Sequence, residues 1–150
     1  MRLAVAFLLA ASLPAQSKDE KDVLAAVQLL FDGMAAHNAE KLQAATSANA
    51  QLFAMAGEQA RLITRDGFVQ SNVSNKSAAL ERIWEPKVRI RGTIADVWAE
   101  YDYHRDGKFH HCGIDAFQLV KDGGAWKIVS LVWTTETEGC KPSPLGPPRP

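Results

Sequence analysis

The side chains best suited to acid–base chemistry lie on either side of an Asp-Gly pair in the second half of the chain. Tyr101 and Tyr103 precede this pair, and His110 follows it. An imidazole titrates near neutral pH, and a phenol can orient the imidazole or a substrate oxygen. His110 with Tyr103 or Tyr101 is therefore the candidate pair for general acid–base catalysis. Such residues beside a turn more often bind water or backbone, so no catalytic role is assigned to them.

A second group of side chains near this turn suggests a metal ligand set or a nucleophile. His104, His110, His111 and Cys112 are close in sequence, but adjacent residues of a strand point to opposite faces. Their spacing also matches no repeated Cys-x-x-Cys or His-x-x-x-His pattern. We therefore predict no metal site and no cofactor. Cys112 is expected to be an unreactive core thiol, because Tyr101 is predicted to lie opposite it.

The composition is typical of one globular domain. The chain has 150 residues, of which 47% are hydrophobic and 23% charged, and 17 Lys and Arg balance 17 Asp and Glu. These values exclude disorder, collagen and coiled coil. No apolar run approaches the ~20 residues needed to span a bilayer. The neutral balance gives no field that would attract nucleic acid or an anionic membrane, so neither is expected as a partner.

The first fifteen residues are typical of an export signal. Arg2 precedes the apolar stretch Leu3–Leu13, and a small residue, Ala15, lies at the expected cleavage point. The alternative is a retained membrane anchor, although the run is short for a bilayer span. We predict that residues 1–15 are removed and that the protein is exported, periplasmic or extracellular, with no membrane contact after cleavage.

Export would allow the two cysteines of the chain to oxidise. Cys112 is expected opposite a residue near Thr135 in the predicted sheet. Cys140 therefore comes within disulfide range only if the chain folds back through Gly139. Both a disulfide and two free thiols are compatible with the sequence.

Two helices are predicted at the start of the domain. Ser17 followed by Glu20 matches a capping box, and apolar residues recur at helical spacing over residues 18–37. Asn38 is expected to end this helix in the left-handed conformation. Residues 39–45 are expected to form a second, short helix.

A small β interruption is predicted after these helices. Residues 52–55 and 60–64 flank Gly57-Glu58, which favours a short hairpin. Asp66 is expected to cap a brief third helix. The first half of the chain is thus predicted to be mostly helical.

The hydrophobic period changes to two from Pro86 onward, which predicts β-strands. Four strands of an antiparallel meander are expected, separated by turns at Gly92-Thr93, Asp106-Gly107 and Gly123-Gly124. Helices followed by such a sheet favour an α+β fold with the helices on one concave sheet face. Residues 16–140 form the predicted domain. The proline-rich residues 141–150 are expected to be an extended, disordered tail.

The predicted two-residue turns fix the register of the strands and indicate a pocket. They set Tyr103 opposite His110 and Gln118 opposite Val129. Alanines at other inner positions leave room, while aromatic and polar tips supply the few hydrogen-bonding groups that a ligand pocket needs. The predicted ligand-binding pocket beneath the first helix is lined by Tyr101, Tyr103, His110, Cys112, Ile114, Gln118, Leu131 and Trp133.

No acidic side chain falls on the predicted inner face of the sheet. The register points Asp96, Asp102 and Asp115 outward, which leaves Asp32 on the first helix as the remaining candidate carboxylate, although a solvated position is its commoner role. The outer face also carries an apolar patch, which would be exposed unless a second subunit covered it. A homodimer through that face is therefore expected, with the patch formed by Trp98, Phe117, Leu119, Ile128 and Val132.

Two stretches of the predicted meander resemble a known superfamily. His111–Lys121 (HCGIDAFQLVK) and Gly124–Leu131 (GAWKIVSL), after a helical first half, are similar to the nuclear-transport-factor-2-like superfamily. Within it, the similarity over residues 18–137 is to small exported bacterial proteins grouped as SnoaL-like or "putative lumazine-binding". The resemblance implies a cone-shaped, curved antiparallel sheet wrapped around N-terminal helices, a cystatin-like roll. It also implies a ligand-sized cavity at the wide end and, frequently, a dimer through the outer sheet face.

This superfamily hosts many functions, so the site must decide between them. Its enzymes resemble one another in placing a carboxylate inside the cavity, and none is predicted there in this chain. The favoured hypothesis is an exported protein that binds a small apolar or aromatic ligand without catalysis. One alternative is an isomerase, dehydratase or cyclase that uses His110 with Tyr103 or Tyr101. Another is a protein-interaction module that uses the outer sheet face.

Overall fold

The computed structural model describes residues 17–148, and the predicted export signal lies outside this range. The described residues form an α+β fold, as predicted. Within them, no helix has the length and apolarity to cross a membrane. The elements are α1 (Lys18–Ala35), α2 (Ala39–Ala45), β1 (Thr46–Ala56), β2 (Gln59–Thr64), α3 (Arg65–Ser74), β3 (Ala79–Arg91), β4 (Ile94–Arg105), β5 (Lys108–Asp122) and β6 (Ala125–Thr134).

The strands form one curved sheet in the order β2-β1-β6-β5-β4-β3. The predicted short hairpin is present as β1 and β2, but β1 is longer than expected and pairs in parallel with β6. All other neighbouring strands are antiparallel. The hairpin therefore belongs to the same sheet as the meander instead of standing apart from it.

Helix α1 packs against the inner face of this sheet. Ser17 accepts a hydrogen bond from the Glu20 N–H at 3.1 Å, as the capping pattern predicts. The ring of Phe31 meets that of Phe117 edge-on, with centroids 6.1 Å apart. One stripe of α1 is buried in the core: Val23, Ala26, Val27, Leu30, Phe31 and Met34.

Two predicted helix caps differ from the structure. Helix α1 ends earlier than expected, because His37 adopts the left-handed conformation, with φ of 49°, and Asn38 instead caps α2. Thr64, not Asp66, caps α3 by accepting a hydrogen bond from the Gly67 N–H at 3.2 Å. The left-handed residue after α1 is thus His37 in place of Asn38. The side-chain oxygen that caps α3 belongs to Thr64 in place of Asp66.

A one-residue bulge at His110 changes the register between β4 and β5. Next to the turn Arg105 pairs with Lys108, as predicted, but beyond His110 the partner of Tyr103 is His111. Because side chains alternate along a strand, one additional residue exchanges the inward and outward sets of β5. The prediction that His110 points inward opposite Tyr103 is therefore wrong.

A second bulge at Val129 changes the register between β5 and β6. Leu119 pairs with Ile128 near the turn, whereas Gln118 pairs with Ser130 and not with Val129. The predicted inward orientation is wrong for His110, Cys112, Ile114, Gln118 and Val129. The side chains that β5 and β6 turn inward are His111, Asp115, Phe117, Leu119, Trp126, Ile128, Leu131 and Trp133.

The C-terminal segment lies against the outer face of the sheet. Cys112 and Cys140 form a disulfide with their Cα atoms 5.9 Å apart. The chain returns to Cys112 through Gly139, which has φ of 72°. Residues 141–148 contain no helix or strand, but Arg82 donates a hydrogen bond to the Gly146 carbonyl at 2.9 Å. This part of the expected tail thus contacts the domain.

Candidate functional site

A cavity of about 270 Å³ lies between the end of α1, α3 and the inner face of the sheet. Its lining combines aromatic rings, two acidic groups and two arginines. A pocket lined by apolar rings with a few convergent polar groups is the usual form of a small-molecule site. The lining residues are Met34, Arg61, Phe68, Glu81, Tyr101, Tyr103, Arg105, His111, Asp115, Leu131 and Trp133.

Two carboxyl groups meet inside this cavity. Glu81 comes from β3 and Asp115 from β5, on either side of β4. Their side chains are within hydrogen-bonding range of each other. Asp115 is only 1% exposed and lies opposite Ala99, whose small side chain leaves room above the strand. Glu81 is partly accessible from the cavity.

The two carboxyl groups hold their protons more tightly than usual. Burial raises the pKa of Glu81 to about 7, and its hydrogen bond to Asp115 limits the rise. Burial, together with the charge of Glu81, raises the pKa of Asp115 well above its usual value. Besides Glu81, no group in residues 17–148 hydrogen-bonds to Asp115 Oδ2. At least one proton is therefore retained by the pair at neutral pH.

Aromatic side chains form the walls beside the carboxyl pair. The Tyr101 hydroxyl donates to the Thr134 carbonyl at 2.6 Å. Burial first, and then the nearby acidic groups, raise the pKa of Tyr101, so its phenol stays neutral. The Tyr103 ring stacks on His111, with centroids 4.9 Å apart and an interplanar angle of 29°. The cavity thus offers flat surfaces next to a proton-bearing pair.

His111 provides an uncharged imidazole in this wall. Burial, followed by the proximity of His110 and Arg105, lowers the pKa of His111 to about 4. Its Nδ1 lies 2.7 Å from Nδ1 of His110, so one of these nitrogens donates a proton and the other accepts it. At neutral pH His111 is therefore a hydrogen-bonding group and not a cation.

The structure divides the residues of the predicted pocket between the two faces of the sheet. Tyr101, Tyr103, Leu131 and Trp133 line the cavity, and their role in ligand binding stays a prediction. The other four, His110, Cys112, Ile114 and Gln118, do not line it. His110 is exposed at the bulge, although its ring remains 5.9 Å from that of Tyr103.

The remaining sequence candidates also lie outside the cavity. Asp32 is exposed on α1 and accepts a hydrogen bond from Gln28 at 2.9 Å. Cys112 is oxidised in the disulfide, so it offers no thiolate nucleophile in this state. Across the described part of the chain, His, Cys, Asp and Glu side chains do not assemble a group of three that would hold a metal ion.

The polar residues that matter most in the cavity are not evident from the sequence. The predicted register points Asp115 outward, and no motif indicates His111, Glu81 or the two arginines as parts of a pocket. The one available signal was local: Phe117 and Leu119 are bulky and apolar, whereas Gln118 between them is polar. This alternation indicates that Phe117 and Leu119 point inward, and Asp115 shares their parity.

A larger hollow, of about 520 Å³, lies toward the other end of the strands. It is bordered by the β3–β4 turn, where Arg89 and Asp96 form an exposed ion pair at 2.9 Å. Its charged lining residues are at the surface, and none of them is buried without a partner. The smaller cavity is therefore the better candidate for a specific site.

The model of the family described as "putative lumazine-binding" matches residues 18–134. The chain belongs to this family. The match confirms the resemblance to the nuclear-transport-factor-2-like superfamily, and it covers α1 through β6. No functionally curated protein is significantly similar to the chain in sequence.

Solved structures with the same fold share little sequence with this family member. A nuclear-transport-factor-2-like protein from Cytophaga hutchinsonii is 13% identical with a TM-score of 0.69, over 80% of this chain and 99% of that one. A protein of unknown function with a cystatin-like fold from Nostoc punctiforme is 9% identical with a TM-score of 0.68, over 81% and 95%. A "putative scytalone dehydratase" from Novosphingobium aromaticivorans is 12% identical with a TM-score of 0.66, over 79% and 85%. At these identities the likeness shows the fold alone.

The raised pKa values predict a specific pH dependence of folding stability. An unfolded Glu81 releases its proton near 4.5, whereas the folded protein holds that proton up to about 7. The free energy of unfolding therefore falls as the pH rises through this interval. Glu81→Gln should remove this loss and raise the free energy of unfolding at pH 8 by about 3 kcal/mol, with little effect at pH 4.

Urea unfolding followed by circular dichroism at several pH values measures this effect. Glu58→Gln in the exposed β1–β2 turn is the matched control and should leave the pH profile unchanged. Equal destabilisation by Glu81→Gln at pH 4 and pH 8 would contradict the assignment of a buried, proton-retaining carboxyl pair.

Proposed function

We propose that this protein binds a small planar ligand in the inner cavity. The observation that carries the proposal is the carboxyl pair of Glu81 and Asp115 at the base of a cavity walled largely by aromatic rings. Among the described residues, Asp115 Oδ2 has no hydrogen-bonding partner besides Glu81. Hydrogen-bonding capacity left unused in the interior costs about 1–3 kcal/mol. A ligand N–H or O–H that reached the pair would recover part of that cost.

The size and walls of the cavity define the kind of ligand. A volume of about 270 Å³ is slightly below the range of about 300–1,000 Å³ that is usual for drug-sized ligands. A compound of one or two fused rings fits this volume. Tyr103, His111 and Trp133 offer ring faces for stacking. Lumazine, the compound named in the family's description, is bicyclic and flat, so it has both the size and the stacking surface that the cavity requires.

Lumazine is accordingly the first probe of this function. Isothermal titration should give a measurable Kd for the wild-type protein, and Trp133→Ala should weaken binding by about fivefold or more because the ring loses its stacking partner. Trp98→Ala is the matched control, since Trp98 is exposed on the outer face. Absence of binding to the wild type, or equal losses in both variants, would contradict binding at this site.

The same carboxyl pair favours a second candidate function, proton transfer in an isomerase, dehydratase or cyclase. An ionised Glu81 could remove a proton while protonated Asp115 donates one. The pKa of Glu81 near 7 suits a general base, and the raised pKa of Asp115 suits a general acid. The fold neighbour described as a "putative scytalone dehydratase" belongs to this class of enzyme. In this candidate the acid–base groups are Glu81 and Asp115 in place of His110.

Proton NMR of a compound incubated with the protein separates binding from catalysis. Simple binding returns the compound unchanged. Catalysis gives an isomerised or dehydrated product, and Asp115→Asn should abolish product formation while binding persists. Asp96→Asn on the outer face is the matched control. Unchanged turnover in Asp115→Asn would contradict the enzymatic candidate.

We also propose that two copies associate through the outer face of the sheet. Because of the bulges, Phe117, Leu119 and Ile128 of the expected patch lie in the core, so the patch has different members. The outer face instead carries a row of paired apolar residues across five adjacent strands. From β4 to β2 the row is Trp98, Ala116, Val132, Phe53 and Leu62. The two residues at its ends, Trp98 and Leu62, are 55% and 52% exposed.

Such a row suits a twofold interface, in which the same patch meets itself. Light scattering should give twice the monomer mass for the wild type, and Trp98→Glu should yield monomers because the interface would bury an unpaired charge. Phe109→Glu, an equally exposed position near the β4–β5 turn, should remain dimeric. A monomeric wild type would overturn the proposed dimer and leave the row free for a different protein partner.

We propose finally that the protein is exported to the periplasm or the extracellular space after removal of residues 1–15. The disulfide between Cys112 and Cys140 supports this location, because such bonds persist in oxidising compartments. The protein isolated from its host should lack residues 1–15 and carry no free thiol. Cys112→Ser should lower the free energy of unfolding by about 3 kcal/mol, as should reduction of the wild type. A full-length chain with two alkylatable thiols in native protein would contradict export.

A further inference from the structure

Within the described part of the chain, the two arginines at the rim of the cavity lack the ion pair that three other arginines near the sheet form. Arg65, Arg82 and Arg89 are each paired with an aspartate, at 3.1, 2.5 and 2.9 Å respectively. Arg61 and Arg105 form no ion pair in the described range, although both line the same cavity as Glu81 and Asp115.

The fold places these two arginines on opposite sides of the cavity mouth. Arg61 lies on the edge strand β2, opposite Ala54, which is itself next to Trp133. Arg105 is the last residue of β4 and continues the inward parity of Tyr101 and Tyr103. Both arginines are exposed, whereas the carboxyl pair lies deeper. The cavity therefore has cations at its entrance and acids at its base.

The acids at the base do not neutralise these cations. Glu81 and Asp115 hydrogen-bond to each other, and neither is within ion-pair distance of an arginine. The imidazole of His111 and the phenol of Tyr101 also line the cavity, and both are neutral at pH 7. Since the pair retains at least one proton, the two guanidinium charges exceed the negative charge of the cavity. The chain as a whole has no net charge, so this excess is local.

We infer that the ligand of this cavity is an organic acid, with its ring toward Glu81 and Asp115 and its carboxylate or phosphate between Arg61 and Arg105. This inference rests on the proposed binding function and adds the charge and orientation of the ligand. Guanidinium groups bind carboxylate and phosphate oxygens through paired N–H donors. A neutral ring compound of the same shape would leave both arginines without a partner.

Matched pairs of probes test the inference directly. Each pair is a carboxylate and its carboxamide on one ring system: benzene, quinoline or lumazine. Isothermal titration at low ionic strength should show that the carboxylate of the binding scaffold has a Kd about tenfold lower than its carboxamide. The difference should shrink at high salt, because the arginines are exposed. The corresponding phosphate, tested in the same way, decides which acidic group the rim prefers.

Substitutions at the rim identify the residues responsible. Arg61→Gln and Arg105→Gln should each reduce the preference for the carboxylate by about threefold or more, while the Kd of the carboxamide changes by less than about twofold. Arg91→Gln is the matched control. It removes the same charge from an exposed arginine that borders the larger hollow and not this cavity.

The outcomes separate this inference from the function on which it rests. Equal affinity for the carboxylate and the carboxamide would overturn the acidic ligand while leaving the binding function in place. The same conclusion follows if Arg91→Gln reduces the preference as much as the rim variants do. Failure of every probe pair to bind would instead overturn the binding function itself.

Discussion

Two single-residue bulges decide which side chains this sheet turns toward its helices. The bulge at His110 exchanges the faces of β5, and the bulge at Val129 keeps Leu131 and Trp133 inward on β6. Without the first bulge, Asp115 would point to the outer surface and Gln118 would enter the core. A buried carboxylate is costly unless it keeps a proton or gains a partner, and the fold supplies both through Glu81. The acid–base character of the cavity therefore depends on one additional residue in one strand.

The small residues around the carboxyl pair create the space that this arrangement needs. Ala99 lies opposite Asp115, and Gly113 lies opposite Tyr101. A Cβ atom at Gly113 would come within 2.9 Å of the Tyr101 ring and closer still to the Thr134 carbonyl, which accepts the Tyr101 hydrogen bond. On the outer side of the same segment, the disulfide of Cys112 holds the C-terminal residues against β5. Packing on both faces thus fixes the strand at the position where its register changes.

The sequence allowed the fold to be predicted much better than the site. Helical periodicity, the Ser17 capping box and the glycine turns each have a local cause, so α1 and the meander could be recognised from short patterns. The β1–β6 pairing joins distant segments, and no local pattern specifies it. The prediction of the site was wrong because the strand register was extrapolated from each turn along ten or more residues. A single bulge within that distance reverses the facing of every side chain beyond it. The bulky, apolar Phe117 and Leu119 mark the inward side of β5, and Asp115 lies on that side because it shares their parity.

The central claim is that Glu81 and Asp115 share a proton inside the cavity at neutral pH. Carbon-13 NMR of the side-chain carboxyl groups, recorded from pH 3 to pH 9, observes each group directly. We predict that Glu81 titrates near 7 and that the pKa of Asp115 lies well above its usual value because of burial and the charge of Glu81. Titration of both groups near 4, the usual range for exposed carboxyl groups, would contradict the claim.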